Sequence, residues 1–461
     1  MRKKRQKTQL ELAFAPAVAG EARRGRDGGT EFRAAGPAAE SPAVVGPQME
    51  EVLDRENLRK ALQAVRRNKG APGADGMTVA ELPAHLEEHW PIIRDQLLNG
   101  TYLPQPVRRV MIPKASGGER PLGIPTVRDR FIQQAVLQVL QGAWDPTFCE
   151  HSYGFRPGRS AHQAVARAQA YVAAGYGWVV DLDLEQFFDR VNHDRLMARV
   201  AQRVEDKRLL KLIRGFLTAG VMEGGLVGPT VQGTPQGGPL SPLLSNLVLD
   251  ELDRELEKRG HCFVRYADDC NIYVRSERAG QRVMAGVTRF VERRLKLKVS
   301  AAKSAVAPPG RRQFLGFSLT AGEGSKRRIA PKASARFKQK VRELTRRTRG
   351  RSLEQMIEEL ARYLKGWLGY FGFCQTPTVL QALDHWIRRR LRAVAWKQWK
   401  RGRTRYLALR RRGVGHALAA KTAGSAHGPW RLSNSPALHA ALSNTYLASL
   451  GLPSLHASHA A

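Results

Sequence analysis

At 461 residues the chain exceeds what one hydrophobic core organises, and roughly two to four domains are expected. Its 42% hydrophobic content is enough to bury those cores, while a formal net charge of +35 argues against a neutral small-molecule enzyme and for a polyanionic partner. No apolar run approaches the ~18 residues of a membrane span, and none follows the basic start Arg2-Lys3-Lys4-Arg5, so insertion and export are excluded as expectations. The four cysteines, Cys149, Cys262, Cys270 and Cys374, form no Cys-x-x-Cys pair; neither a zinc module nor a disulfide framework is indicated, and a reducing cytoplasm is the default.

Residues 1–47 are rich in Ala, Gly, Arg and Glu without apolar periodicity and read as a disordered leader. From Asn57 to Asn68 the spacing of Leu58, Leu62 and Val65 predicts an amphipathic helix, broken by the Gly-Ala-Pro-Gly-Ala-Asp-Gly run at 70–76. Between Val107 and Pro125 two strands flank a Gly-Gly turn, a hairpin with Arg108, Lys114 and Arg120 on its arms. Residues 130–175 read as mostly helical, with Ser160 as a cap; Arg156 and Arg159 are equally readable as template-backbone contacts or as structural ion-pair partners.

The run Trp178 to Leu184 predicts a strand that presents Asp181 and Asp183 on one face, since strand side chains alternate. A Gly-rich stretch follows from Gln232, and Phe263 to Val274 reads as a hairpin with Asp268 and Asp269 at its turn. Adjacent carboxylates repel each other unless a cation is shared, and a third acid upstream makes a pair of divalent ions the economical solution. His193, in a loop beside polar neighbours, reads as structural rather than as a general base. From Lys326 to Gly415 stand 26 Lys and Arg against five acids, with Leu383, Trp386, Ile387, Leu391 and Val394 at helical spacing and Arg388, Arg389, Arg390 and Arg392 between them, a pattern that predicts one packed and one basic face. For Trp367, Tyr370 and Phe371 core packing is the stronger reading over base stacking.

Pro-Gln-Gly-Gly-Pro-Leu-Ser-Pro-Leu-Leu-Ser-Asn at 235–246 and the Tyr-Ala-Asp-Asp box at 266–269, in this order, resemble the bacterial group II intron-encoded reverse transcriptases, and the resemblance runs from about Leu58 to about Leu452. It implies an α/β (α+β) right-hand polymerase fold: an N-terminal extension and fingers over 48–180, a palm with a mixed or antiparallel sheet over 181–320, an all-helical thumb (maturase domain X) over 326–415, and a short tail over 416–461. The tail holds no zinc-supported endonuclease, as in the endonuclease-less lineage. It implies catalytic and Mg²⁺-holding roles for Asp183, Asp268 and Asp269, with two ions as cofactor; Asp183 is preferred because an aromatic, Phe188, stands five positions on, but Asp181 stays open. By the same resemblance Lys114, Arg120, Arg108, Phe188 and Gln236 bind the incoming nucleotide, Phe188 as a steric gate against the 2′-hydroxyl. Tyr266, Lys303, Arg156 and Gly316 would position primer and template, and Arg388, Arg389, Arg390 and Lys365 would bind RNA. The implied activity is RNA-directed DNA synthesis with a maturase role in splicing. The implied partners are the intron RNA, target DNA or primer and dNTPs, with no membrane, homodimerisation left open and a nucleoid-associated cytoplasmic location.

Overall fold

The computed structural model describes residues 46–113, 118–223, 225–230, 232–234, 237–346 and 350–456. They form ten strands: β1 (Val107–Pro113), β2 (Glu119–Ile124), β3 (Trp178–Leu182), β4 (Val221–Glu223), β5 (Leu226–Gly228), β6 (Cys262–Tyr266), β7 (Asp269–Val274), β8 (Ala305–Ala307), β9 (Phe317–Leu319) and β10 (Arg327–Ile329). Two compact units interleave along the chain, one of residues 1–158, 183–259 and 287–300, the other of 159–182, 260–286 and 301–461.

The first unit is a helical body with the sheet β2-β1-β4-β5. Its helix Arg55–Asn68 starts at Asp54, whose carboxylate accepts from the amides of Glu56 and Asn57, and ends at Lys69 in the left-handed conformation. Leu58, Ala61, Leu62 and Val65 form the buried stripe that their spacing predicts. The basic hairpin forms as β1 and β2, with Arg108 opposite Ile124 and Ile112 opposite Arg120. Two long helices, Val127–Trp144 and Ser241–Lys258, carry much of this unit's core.

Arg156 belongs to the same unit and resolves as the structural alternative. It is 8% exposed, its Nε donates to Asp145 Oδ1 at 2.8 Å, and its Nη1 donates to the carbonyls of Cys149 (2.6 Å) and Ser152 (3.0 Å). A guanidinium with its donors spent on one loop cannot also reach a template, so the positioning role expected for Arg156 is corrected.

The second unit is built on the antiparallel sheet β6-β7-β3-β8. The helix Ala161–Ala173 packs against β6 and opens with a capping box between Ser160 and Gln163, as the cap signal predicts. In the helix Glu277–Phe290, a Cβ added at Gly280 would stand 2.5 Å from Val306 Cγ1, so glycine lets this helix approach β8 closely.

The rest of the unit is helical: Pro331–Leu344, Leu353–Phe371, Pro377–Gln398, Gly402–Arg410, His416–Ala423, Pro429–Leu432, Pro436–Ala441 and Asn444–Ser449. Trp367 is buried with Phe371 stacked on it at 4.8 Å, in keeping with core packing. Residues 416–456, expected as a plain tail, fold into four short helices that bury Leu438, Leu442, Leu447 and Leu455.

Among the described residues no helix is long and apolar enough to cross a membrane. Replacing Arg156 with Met leaves Asp145 without its guanidinium partner and removes a donor from the carbonyls of Asp145, Cys149 and Ser152. The expected loss is about 3–5 kcal/mol of stability, read as a lowered midpoint in thermal or urea unfolding; an unchanged midpoint would mean that the loop holds without this ion pair.

Candidate active site

The β6–β7 hairpin closes on the pair Tyr266 and Asp269, leaving Ala267 and Asp268 as a two-residue turn. Ala267 has φ of +57°, a conformation most side chains resist, and its small Cβ keeps the strain low. Beneath the turn Arg265 is 1% exposed, and its Nη1 donates to the Ala267 carbonyl at 2.8 Å. This bond pins the backbone that carries the two neighbouring carboxylates. Asp268 is half-buried and Asp269 exposed.

The first acidic strand differs from its expected form. β3 ends at Leu182, opposite Cys270, so Asp183 is the residue just past the ladder. There the backbone changes partners: the Asp183 carbonyl accepts from the Ser300 amide at 2.9 Å, and Leu184 bridges Val299. Asp181 remains inside the strand, opposite Asn271, and its carboxylate takes a fork from Arg312, with Nε at 2.8 Å. Arg312 also donates to the Lys303 carbonyl at 2.8 Å. Asp181 is thus engaged by a guanidinium from within the strand, while the Asp183 backbone has left the ladder. Lys303 is exposed and Tyr266 half-buried.

On the β6–β7 turn Asp268 and Asp269 offer oxygen donors alone, which suits a hard cation such as Mg²⁺. Among the described residues no group of three His, Cys, Asp or Glu side chains is already gathered to hold a metal ion. Mg²⁺ fits such an arrangement, because it keeps several waters and is commonly bound by one or two carboxylates together with substrate phosphates rather than by a closed protein cage.

In the first unit a cavity of about 730 Å³ is lined by Arg109, Gly123, Gln186, Asp189, Glu223 and Thr234 among others. Its wall is the short helix Phe187–Arg190 tied to the Gly-rich loop: the Thr234 amide donates to the Phe188 carbonyl and the Gly233 amide to the Val191 carbonyl, each at 2.7 Å. At Gly233, φ is +92° and a Cβ would stand 3.0 Å from the carbonyls of Phe188 and Asp189. At Gly237 a Cβ would come within 2.5 Å of the Gly123 carbonyl, so the loop lies flush against β2. His193 is 4% exposed and its Nε2 donates to the Gly233 carbonyl at 2.6 Å, which is the structural role expected of it.

Phe188 is half-buried, edge-on to Phe187 at 5.2 Å. Arg120 is exposed; Arg108 is half-buried with its Nε enclosed. Lys114 and Gln236 lie outside the described residues. Gly316, at φ of +81°, stands with Leu315 at a tight turn whose Cβ position meets the Phe371 ring at 3.1 Å; its observed role is to let that ring pack.

The basic face expected on the helix Pro377–Gln398 needs correction. Arg388 is 5% exposed and bonded to Asp384 at 2.7 Å, and Arg392 is 4% exposed. Both are covered by the helices of residues 429–449, a cover fifty residues away in sequence and invisible to helical periodicity. Arg388 is thus a buried ion pair, not an RNA contact. Arg389 and Arg390 are half-buried, Arg390 donating to the Thr345 hydroxyl and Arg389 lying over Trp430; Lys365 is exposed. Arg265 and Arg312 were not singled out from sequence. The available signal was a cation at 265 embedded in an otherwise apolar strand.

A four-stranded antiparallel sheet with paired aspartates at a hairpin turn, followed in the chain by a helical C-terminal region, fits the reverse transcriptase fold. Residues 112–319 match the family "Reverse transcriptase (RNA-dependent DNA polymerase)", and residues 334–413 match "Group II intron, maturase-specific domain". The chain thus joins a region similar to the reverse transcriptases to one similar to the maturase-specific domain of group II introns. It is 42% identical over 214 residues to Protein YkfC of Escherichia coli (strain K12), covering 45% of this chain and 56% of that protein. It is 40% identical over 195 residues to the group II intron-encoded protein LtrA of Lactococcus lactis subsp. cremoris, covering 42% of this chain and 32% of that one. The matches therefore span from about a third to just over half of these relatives' lengths. Among solved structures, a partial Cas6-RT-Cas1–Cas2 complex aligns at 23% identity with a TM-score of 0.35, covering 53% of this chain and 42% of that one.

The turn itself is open to test. Ala267→Gly should leave stability unchanged or slightly raised, whereas Ala267→Val places a β-branched residue at positive φ and should cost about 1–3 kcal/mol, measured by chemical unfolding. Equal tolerance of both would contradict the left-handed turn.

Proposed function

We propose that the chain is an RNA-directed DNA polymerase encoded by a group II intron, which copies the intron RNA into DNA during retrohoming and grips the same RNA as a maturase. The observation that carries this reading is the Asp268–Asp269 turn, its Ala267 carbonyl held by Arg265, in a strand register that pairs Leu182 with Cys270 and so ends β3 just before Asp183. On this reading 48–180 supplies the N-terminal extension and fingers, 181–320 the palm and 326–415 the thumb. A nucleoid-associated cytoplasmic location goes with it.

Asp183, Asp268 and Asp269 would hold two Mg²⁺ ions, whose chemistry when bound is to stabilise charge on the attacking and leaving oxygens of an in-line phosphoryl transfer. The engagement of Asp181 by Arg312 supports Asp183 as the third acid. Arg120, Lys114 and Arg108 receive the triphosphate as cations on a hairpin. Phe188 stands under the sugar and excludes a 2′-hydroxyl by contact, while its backbone carbonyl anchors the glycine-rich loop that presents Gln236 to the new base pair. Tyr266 and Lys303 position primer and template. Lys365 and Arg389 belong to the RNA-gripping surface, with target DNA, primer and dNTPs as further partners.

Primer extension on an RNA template with Mg²⁺ tests the polymerase. Asp268→Asn should reduce dNTP incorporation by about a thousandfold with RNA affinity retained, and Phe188→Ala should raise the use of rNTPs relative to dNTPs. No incorporation by the unmutated chain would leave an RNA-binding splicing factor with an inactive palm as the better reading. The thumb has its own measurement: Lys365→Ala should flatten the slope of log affinity against log salt by about 0.7–0.9, while Arg388→Met should lower the unfolding midpoint instead. An unchanged slope in Lys365→Ala would remove that residue from the RNA surface.

A further inference from the structure

The C-terminal helices enclose a second cavity, of about 420 Å³, lined by Trp386, Arg389, Arg392, Trp430, His439 and Asn444 among others. That volume lies in the range of sites that accept a small organic ligand. Its walls come from the helix Pro377–Gln398 and from residues 430–444, so half of it lies beyond the matched maturase-specific residues 334–413.

The charge of this cavity is lopsided. No carboxylate lines it. The acid on the same helix, Asp384, is committed to Arg388 at 2.7 Å and to the Leu455 amide at 3.1 Å. Arg392, 4% exposed, has neutral partners: its Nε donates to the Leu442 carbonyl at 3.0 Å and its Nη2 to Asn444 Oδ1 at 3.1 Å. Arg389 Nη2 donates to the Trp430 carbonyl at 3.2 Å, while its Nε is enclosed and finds no acceptor among the described residues. Buried guanidiniums held by neutral acceptors are costly, and a bound anion would satisfy both the charge and the open donor.

The aromatic content points to the rest of the ligand. Trp430 keeps 41% of its surface exposed although its ring sits beside the Arg389 guanidinium at 4.3 Å, and Trp386 forms another wall. An indole with one accessible side at the mouth of a cationic cavity suits a flat ring joined to a phosphate. A base locked inside a duplex cannot present its face there.

We propose that this cavity is a subsite for one unstacked nucleotide of a single-stranded nucleic acid, with the base against Trp430 and the phosphate between Arg389 and Arg392. The inference rests on the chain being a nucleic-acid enzyme, and RNA and DNA strands share the chemistry it requires. The test compares the full chain with Trp430→Leu and Trp430→Phe, measuring anisotropy of labelled single-stranded RNA and DNA octamers and of a blunt hairpin duplex. Primer extension on a homopolymer template is run alongside.

Trp430→Leu is expected to weaken single-strand binding about tenfold and to leave duplex binding and primer extension within about twofold; Trp430→Phe, which retains a stacking face, should recover most of the loss. A larger loss on RNA than on DNA assigns the nucleotide to the transcript, and the reverse assigns it to the DNA strand. Unchanged single-strand affinity, an equal loss on the duplex, or failure of Phe to rescue would overturn the subsite. Should the unmutated chain extend no primer while the Trp430 pattern holds, the polymerase reading falls and the subsite stands.

Discussion

A single buried guanidinium underlies the acidic turn. Two adjacent carboxylates at a hairpin are unfavourable neighbours, and the backbone between Tyr266 and Asp269 adopts a left-handed residue to make the reversal. Arg265, enclosed within β6, bonds the carbonyl of that residue, so one buried side chain tethers the reversal. Burying a cation without partners would be prohibitive, and the turn carbonyl supplies one of them.

Close backbone contact does comparable work in the first unit. The glycine-rich loop is bonded to the carbonyls of Phe188 and Val191 and held by buried His193, and at Gly233 and Gly237 any side chain would collide with backbone oxygens. The loop therefore follows the contour of the short helix that carries Phe188. These main-chain bonds hold the helix that carries Phe188 without consuming polar side chains.

Charge is used in two distinct ways in the C-terminal helices. Some arginines are structural, as with Arg388 paired to Asp384 and Arg392 bonded to Leu442 and Asn444. Others, such as Lys365, remain exposed to a polyanion. Only the second kind contributes to salt-dependent affinity, because only they release counterions on binding. Net charge alone overstates the surface available to nucleic acid.

Local signals were sufficient for much of the architecture: the stripe of Leu58, Leu62 and Val65, the Ser160 cap, the basic hairpin and the Asp-Asp turn each depend on residues within a few positions of one another. The helical C-terminal region was legible for the same reason. Tertiary contacts alone decided which acid of the first strand is engaged by Arg312, because that arginine lies 131 residues from Asp181. They decided that Asp183 stands past the ladder, where residues 298–300 capture the backbone. They also decided that Arg156, Arg388 and Arg392 are buried, since periodicity describes one helix and cannot see the loop or distant segment that covers its other face.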